Sequence, residues 1–213
     1  FVIIVFLFVR FNKSHNKEKN TITPEILAAA NQFKVDTETL KNRYISNTDK
    51  LDLKQRYLST HKEIVNWSQS VLKESSNLQY FWHNYPILDN WVEKQNGHFL
   101  TKELIDAKPL LSNIDQKALD EQQSVAVITN EDNTLVIAGA GSGKTLTISA
   151  KVKYLVERLH VEPRDILLIS FTAKSAEEMT ERIQNKLGIP ITAMTFHKLG
   201  LGIITEFEQK RPE

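Results

Sequence analysis

A glycine-rich loop between an apolar run and a helix-like stretch constrains this chain more than any other feature. Three of the seven glycines fall within residues 139–143, between the run Thr134–Ala138 and the stretch 144–158. Glycine lets backbone N–H groups close around an anion, and a helix start adds partial positive charge. The pattern predicts a phosphate-binding loop. Its sequence is Ala138-Gly139-Ala140-Gly141-Ser142-Gly143-Lys144-Thr145.

The last two residues of the loop carry its predicted chemistry. Lys144 would reach the β- and γ-phosphates of a nucleoside triphosphate, and the Thr145 hydroxyl would bind Mg²⁺. We expect the Lys144 ammonium to be solvated when no phosphate is bound. The strict pattern has glycine six residues before the lysine, where this chain has Ala138. The alternative is a glycine-rich turn that merely ends a strand.

The fold prediction is α/β from about residue 114 onward. The runs Thr134–Ala138, Ile166–Ser170 and Ile189–Met194 predict three strands, separated by helices over 144–158 and Ala173–Leu187. Alternating strands and helices are typical of right-handed βαβ units with a parallel sheet and a ligand at the carboxyl ends of the strands. Three strands make a small sheet, so we expect it to be partial.

Residues 21–113 are predicted to be mostly helical. Thr23 precedes Pro24 as a capping hydroxyl would, and apolar residues keep a helical period from Leu51 to Leu72. Six aromatic residues are either a base-stacking platform or the core of a helical layer, and the core is favoured because large aromatics supply buried area. They are Trp67, Tyr80, Phe81, Trp82, Tyr85 and Trp91.

The N-terminal segment, residues 1–20, is apolar and then basic. Phe1–Val9 is shorter than the roughly 20 residues of a membrane span, and four basic residues follow within ten positions. It is interpreted either as the end of a truncated membrane anchor with its basic side facing the cytoplasm, or as a buried strand or fragment edge. The formal net charge of +1 and the absence of cysteine exclude a bulk polyanion binder, a zinc finger and a thiol nucleophile.

Three further segments resemble motifs of UvrD/Rep-type superfamily 1 DNA helicases. Within that family, the sequence is similar to the helicase IV group. Gln123, 21 residues before Lys144, resembles the Q-motif glutamine that contacts adenine; Asp120-x-x-Gln123 is equally a helix capping box. Ser170–Ile183 resembles motif Ia, with Ala173 and Ser175 departing from it, and Thr195-Phe196-His197 resembles motif Ib. Leu146 stands where many members have arginine.

The resemblance implies the site residues. It implies ATP and Mg²⁺ as cofactors, with Lys144 and Thr145 as the catalytic pair. The expected nucleotide-binding residues are Gln123, Ala138, Gly139, Ala140, Gly141, Ser142, Gly143, Lys144 and Thr145. The residues expected to contact single-stranded DNA or a duplex junction are Phe171, Thr172, Lys174, Thr195, Phe196 and His197.

The resemblance also implies the architecture and the activity. Residues 114–213 would be the first part of a RecA-like P-loop NTPase domain, motor domain 1A, preceded by a helical accessory region over 21–113. The whole protein would be a cytoplasmic, ATP-dependent 3′–5′ DNA helicase serving DNA repair or replication. The acidic D-E-x-x motif that hydrolysis needs is not present after the third predicted strand. The printed chain alone is therefore expected to bind nucleotide weakly and not to unwind DNA.

Other functions remain open at this stage. A helicase subunit of a recombination helicase–nuclease would share the same motifs. A different P-loop enzyme, such as a small-molecule kinase, would leave Phe171, Thr195 and His197 unexplained. A non-enzymatic nucleotide-binding remnant, or a membrane-tethered module acting through residues 21–113, would not depend on ATP turnover.

Overall fold

A computed structural model describes residues 21–139 and 141–208 of the chain. The predicted N-terminal segment, residues 1–20, lies outside the described residues, as does Ala140. No helix within the described ranges is long and apolar enough to cross a membrane. The α-helices are α1 Pro24–Leu40, α2 Asn47–Ile64, α3 Gln69–Leu72, α4 Ser76–Asn84, α5 Leu88–Asp106, α6 Lys108–Leu111, α7 Glu121–Ile128, α8 Lys144–Glu157, α9 Ala173–Glu181 and α10 Phe196–Glu208.

The N-terminal helices form a layer around an aromatic core, as predicted. Thr23 caps α1 by accepting a hydrogen bond from the Ile26 N–H at 3.3 Å. Phe33 is fully buried and lies edge-on to Phe81, with ring centroids 5.0 Å apart. Tyr85 is also buried, and the three tryptophans of the cluster pack against this core while partly exposed. The aromatic residues therefore build the core of the helical layer.

A second core joins the end of the helical layer to α7 and α8. Leu111 and Ile114 pack with Val127 of α7 and Leu146 of α8. Polar contacts reinforce the junction. The backbone N–H groups of Asn47 and Thr48, in the first turn of α2, donate to the carboxylates of Glu131 and Asp132 at 2.7 Å each, as expected where a helix start meets negative charge. The loop helix α8 is thus supported by the preceding helices. Glu131 and Asp132, which accept these two hydrogen bonds, are adjacent in sequence.

The sheet consists of two short parallel strands, β1 (Ile169–Ser170) and β2 (Met194–Thr195). Helix α9 connects them and is followed by a π-helical turn, Arg182–Lys186. Their core includes Met179, Ile183 and Ile191. The predicted parallel pairing of the second and third apolar runs is confirmed, but the pairing is short: Ile169 and Ser170 of the second run pair with Met194, the last residue of the third run, and with Thr195, which follows it. The predicted helix Ala173–Leu187 is α-helical only as far as Glu181.

The predicted strand over Thr134–Ala138 is wrong for the described residues, since no backbone pairing is present there. Leu135 is 85% exposed and Ile137 is 89% exposed. A β-strand forms only when a neighbouring backbone accepts and donates its hydrogen bonds. No segment within residues 21–139 and 141–208 pairs with this run. Apolar composition without a pairing partner does not make a strand.

Candidate functional site

The glycine-rich loop lies directly before α8 and takes a conformation that suits glycine. Gly141 has φ = 76° and Gly143 has φ = 84°, both in the left-handed region. Ser142 closes the turn, because its hydroxyl donates to the Gly139 carbonyl at 2.8 Å. Helix α8 begins at Lys144 with no side-chain cap, so N–H groups of its first turn lack an intrahelical acceptor. The arrangement is suited to an anion.

Lys144 is bound by its own loop. Its ammonium donates to the Gly139 carbonyl at 2.6 Å and to the Ala138 carbonyl at 3.1 Å. The side chain is exposed, as expected for a solvated ammonium, but it also donates to the exposed carbonyls of the loop. The contacts keep the positive charge beside the helix start. Thr145, the next residue of α8, is exposed.

Gln123 connects α7 to the loop. Its side-chain oxygen accepts from the Asp120 N–H at 3.1 Å, while its own N–H donates to Asp120 at 2.8 Å, so the capping box is confirmed. Its side-chain amide also donates to the Ser142 carbonyl at 3.0 Å. An amide has two donor hydrogens and two acceptor lone pairs. One of each remains available, so a contact with adenine stays a prediction.

A pocket of about 620 Å³ lies over the loop, within the range of small-ligand sites. The sequence did not single out two of its basic residues, Lys117 and Arg182. Arg182 begins the π-helical turn and lies 3.7 Å from Asp115. Its only sequence signals were a positive charge near the end of a predicted helix and a place within the segment Ser170–Ile183, which resembles motif Ia. The lining residues are Lys117, Ala118, Asp120, Gln123, Gly141, Ser142, Gly143, Lys144, Thr145, Leu146 and Arg182.

Leu146 occupies the position at which the resemblance led us to look for an arginine. Its side chain is buried and packs in the core with Val127 and Ile128. It cannot provide a charge to the pocket. Arg182 is instead the arginine that lines the pocket, and it comes from a different element.

Mg²⁺ has no preformed protein site in the described part of the chain, where no group of three His, Cys, Asp or Glu side chains could hold a metal. The exposed Thr145 hydroxyl is a single oxygen. It fits an ion whose other ligands are phosphate oxygens and water, the usual way in which Mg²⁺ binds with a nucleotide.

The predicted DNA-contacting segments lie next to each other. In the parallel register, Ser170 is opposite Thr195, so Phe171 and Phe196 leave the same edge of the sheet. Phe171 is 99% exposed and Phe196 is 71% exposed. Phenylalanine side chains are usually buried, so the exposure of both shows that neither belongs to the core.

The polar residues of these segments are divided between local structure and solvent. The Thr172 hydroxyl caps α9 by accepting from the Ser175 N–H at 3.1 Å. The Thr195 hydroxyl accepts from the Lys198 N–H at 3.2 Å. Lys174 and His197 are exposed. The two hydroxyls hold the turns that present the phenylalanines, and the two exposed side chains flank them.

The loop, Lys144 and Gln123 together define a candidate nucleotide site at a helix start. Comparison with known proteins finds that residues 119–212, the segment that contains them, match the UvrD/REP helicase N-terminal domain. The resemblance to UvrD/Rep-type superfamily 1 helicases is thus confirmed over this part of the chain.

Two proteins similar to this chain are also DNA helicases. The chain is 38% identical over 146 residues to DNA helicase IV of Escherichia coli, covering 66% of this chain and 21% of that protein. It is 40% identical over 89 residues to the ATP-dependent DNA helicase PcrA of Staphylococcus aureus, covering 40% of this chain and 12% of that protein. The chain therefore spans about a fifth or less of these relatives. Less than half of the chain lies from residue 119 onward. The alignment to DNA helicase IV covers 66% of the chain, so it must also extend into the helical layer.

Proposed function

We propose that this chain forms the start of the motor of an ATP-dependent 3′–5′ DNA helicase, with residues 114–213 as the beginning of a RecA-like domain. The observation that carries the proposal is the position of the Lys144 ammonium, held 2.6 Å from the Gly139 carbonyl at the start of α8. Gln123 contacts the same loop through Ser142. We also propose that the protein works in the cytoplasm.

The proposed nucleotide contacts follow from the groups already present. Triphosphate oxygens would replace the Ala138 and Gly139 carbonyls as acceptors of the Lys144 ammonium. Charge-assisted hydrogen bonds are stronger than those to neutral carbonyls. Mg²⁺ would lie between the phosphates and the Thr145 hydroxyl. The free donor and acceptor of Gln123 match N7 and N6 of adenine.

Hydrolysis requires more than these contacts. A carboxylate must hold the metal, and a second polar group must orient the attacking water. In the proposed function both come from parts of the protein outside these 213 residues. The printed chain is accordingly expected to bind ATP without turnover and without unwinding DNA.

The nucleotide proposal is tested by replacing Lys144 with alanine. Losing a charged donor should weaken ATP binding about 10- to 150-fold, as measured by isothermal titration calorimetry. Lys144 is exposed, so losing its two hydrogen bonds to loop carbonyls should change thermal stability little. Lys73→Ala, at an exposed position in the helical layer, is the matched control. Equal ATP affinity in the Lys144 and Lys73 variants would contradict the proposal.

The DNA proposal places single-stranded DNA across the ends of β1 and β2. Phe171 would stack on a base, with Phe196 beside it, because aromatic faces accept bases of any sequence. Exposed Lys174 and His197 would lie near the phosphates. Thr172 and Thr195 would contribute mainly by holding the two turns, since their hydroxyls already accept backbone hydrogen bonds.

Phe171→Ala tests this surface. Loss of one stacking contact should weaken single-stranded DNA binding by about 1–3 kcal/mol, measured by fluorescence anisotropy of a labelled oligonucleotide. Phe207→Ala is the control, because Phe207 is 89% exposed and lies eleven residues along α10 from Phe196, or about 16 Å. If Phe171→Ala binds DNA as the unsubstituted chain does, the stacking role is wrong.

A further inference from the structure

Lys151 makes an unusual set of contacts for a lysine on a helix surface. It lies on α8, seven residues or about two turns after Lys144, on the same side of the helix. Its ammonium donates to the Val127 carbonyl at 2.9 Å and to the Thr129 carbonyl at 2.8 Å. The Asn130 side-chain oxygen is 3.5 Å away. No carboxylate within the described ranges forms an ion pair with Lys151.

These acceptors belong to the end of α7. The last carbonyls of a helix have no intrahelical partner and carry partial negative charge. Lys151 thus caps the C-terminus of α7 from a neighbouring helix. Burial lowers the pKa of Lys151 to about 8.

The opposite end of α7 is tied to the same loop–helix unit. There Gln123 donates to the Ser142 carbonyl of the loop. At the C-terminal end that Lys151 caps, Val127 and Ile128 also pack in one core with Leu146 and Ala150 of α8. Helix α7 has eight residues, a length of about 12 Å. Two polar contacts at its ends therefore set its tilt relative to α8, and with it the position of the Gln123 amide over the loop.

We propose that Lys151 is a positioning residue for base selectivity: it fixes α7 against α8 so that Gln123 faces the base of the bound nucleotide. The inference rests on the proposed nucleotide function and adds to it a residue that does not touch the nucleotide. Lys151 acts through Gln123, whereas the phosphates are held by the loop and Lys144. Its loss should affect recognition of the base and leave phosphate binding intact.

The test compares three probes: ATP, GTP and inorganic tripolyphosphate, which has no base. In Lys151→Met, the carbonyls of Val127 and Thr129 lose their donor and α7 is released at one end. ATP affinity should fall about tenfold, corresponding to one or two hydrogen bonds, and the preference for ATP over GTP should disappear. Tripolyphosphate affinity should stay the same. Lys151→Arg, which keeps the donors and charge, should restore ATP binding, and Lys153→Met on the same helix should change nothing.

A double-mutant cycle decides whether the effect passes through Gln123. In a Gln123→Ala background, Lys151→Met should cause no further loss of ATP affinity. Equal losses for ATP and tripolyphosphate, an unchanged ATP affinity, or full additivity with Gln123→Ala would each overturn the inference. A Lys144→Ala variant that still binds ATP and tripolyphosphate normally would instead overturn the proposed nucleotide function. Failure of the unsubstituted chain to bind ATP would overturn both.

Discussion

At the residue scale, Gly143 is the position where the backbone and the site constrain each other most directly. Its φ of 84° is strained for any residue with a Cβ. A Cβ there would also lie 2.8 Å from the Gln123 side-chain nitrogen. The close approach of α7 to the loop therefore depends on a missing side chain as much as on the contacts that are present.

We predict opposite effects of alanine at two glycines. Gly143→Ala should lower the free energy of unfolding by about 1–2 kcal/mol because of left-handed strain, and it should displace the Gln123 amide. Gly97→Ala should raise stability by about 1 kcal/mol, since alanine is the better helix former and Gly97 lies within α5 with open space around it. Urea denaturation measures both changes. An unchanged free energy of unfolding in Gly143→Ala would mean that the loop relaxes without strain.

At the element scale, the connection between α5 and α8 determines how firmly the helical layer supports the loop helix. Glu103 of α5 is only 6% exposed. Its carboxylate accepts from the Arg158 guanidinium at 2.8 and 3.0 Å and from the Tyr154 hydroxyl at 3.1 Å. Tyr154 and Arg158 lie at the C-terminal end of α8, so this contact anchors the end opposite the loop.

Glu103→Ala should destabilise the chain by about 2–3 kcal/mol, with Arg158 partly screened by solvent. Hydrogen bonding to Arg158 lowers the pKa of Glu103 below its usual value. The stabilisation is therefore fully present above the pKa of the unfolded chain, about 4.3, and is lost as the pH falls through the lower folded value.

The pH dependence distinguishes the charge from the packing at this site. Glu103→Gln keeps the size of the side chain and cannot titrate. Its stability deficit relative to the unsubstituted chain should be largest near pH 7 and should shrink below about pH 4. Urea denaturation at several pH values measures the deficit. A deficit that does not change with pH would assign the effect to packing alone.

At the scale of the whole molecule, several large apolar side chains of the described C-terminal part are exposed. Leu135 and Ile137 precede the loop with unpaired backbone, and Phe171 follows β1. Helix α10 exposes Ile203 and Phe207. Unpaired backbone with apolar side chains is a template for association. The helical layer, by contrast, has a buried aromatic core.

The 213-residue chain should therefore self-associate through residues 134–138. Replacing Ile137 with lysine should reduce association in sedimentation velocity runs across a range of concentrations, because a charge blocks strand pairing at an edge. Val35→Lys, at an exposed apolar position in the helical layer, is the control and should leave association unchanged. A strictly monomeric unsubstituted chain, or equal effects of both substitutions, would show that this segment is not the contact.

Local signals in the sequence determined the parts of the molecule that depend on neighbours along the chain. The Thr23 cap, the Asp120–Gln123 capping box and the start of α8 after the glycine loop were all predictable, because each is decided within a few residues. The order of strand, helix and strand around α9 was also predictable from apolar runs. The nearness of Gln123 to the loop followed from the family resemblance and is observed in the structure.

Only the tertiary structure decided the features that need partners distant in sequence. Thr134–Ala138 has the composition of a strand, yet pairing depends on another backbone, and none of the described residues supplies it. Arg182 reaches the pocket because a π-helical turn and Asp115 place it there. Lys151 caps α7 because α8 packs beside the end of that helix. Sequence periodicity specifies which residues are apolar or charged, whereas the contacts between elements decide what each charge touches.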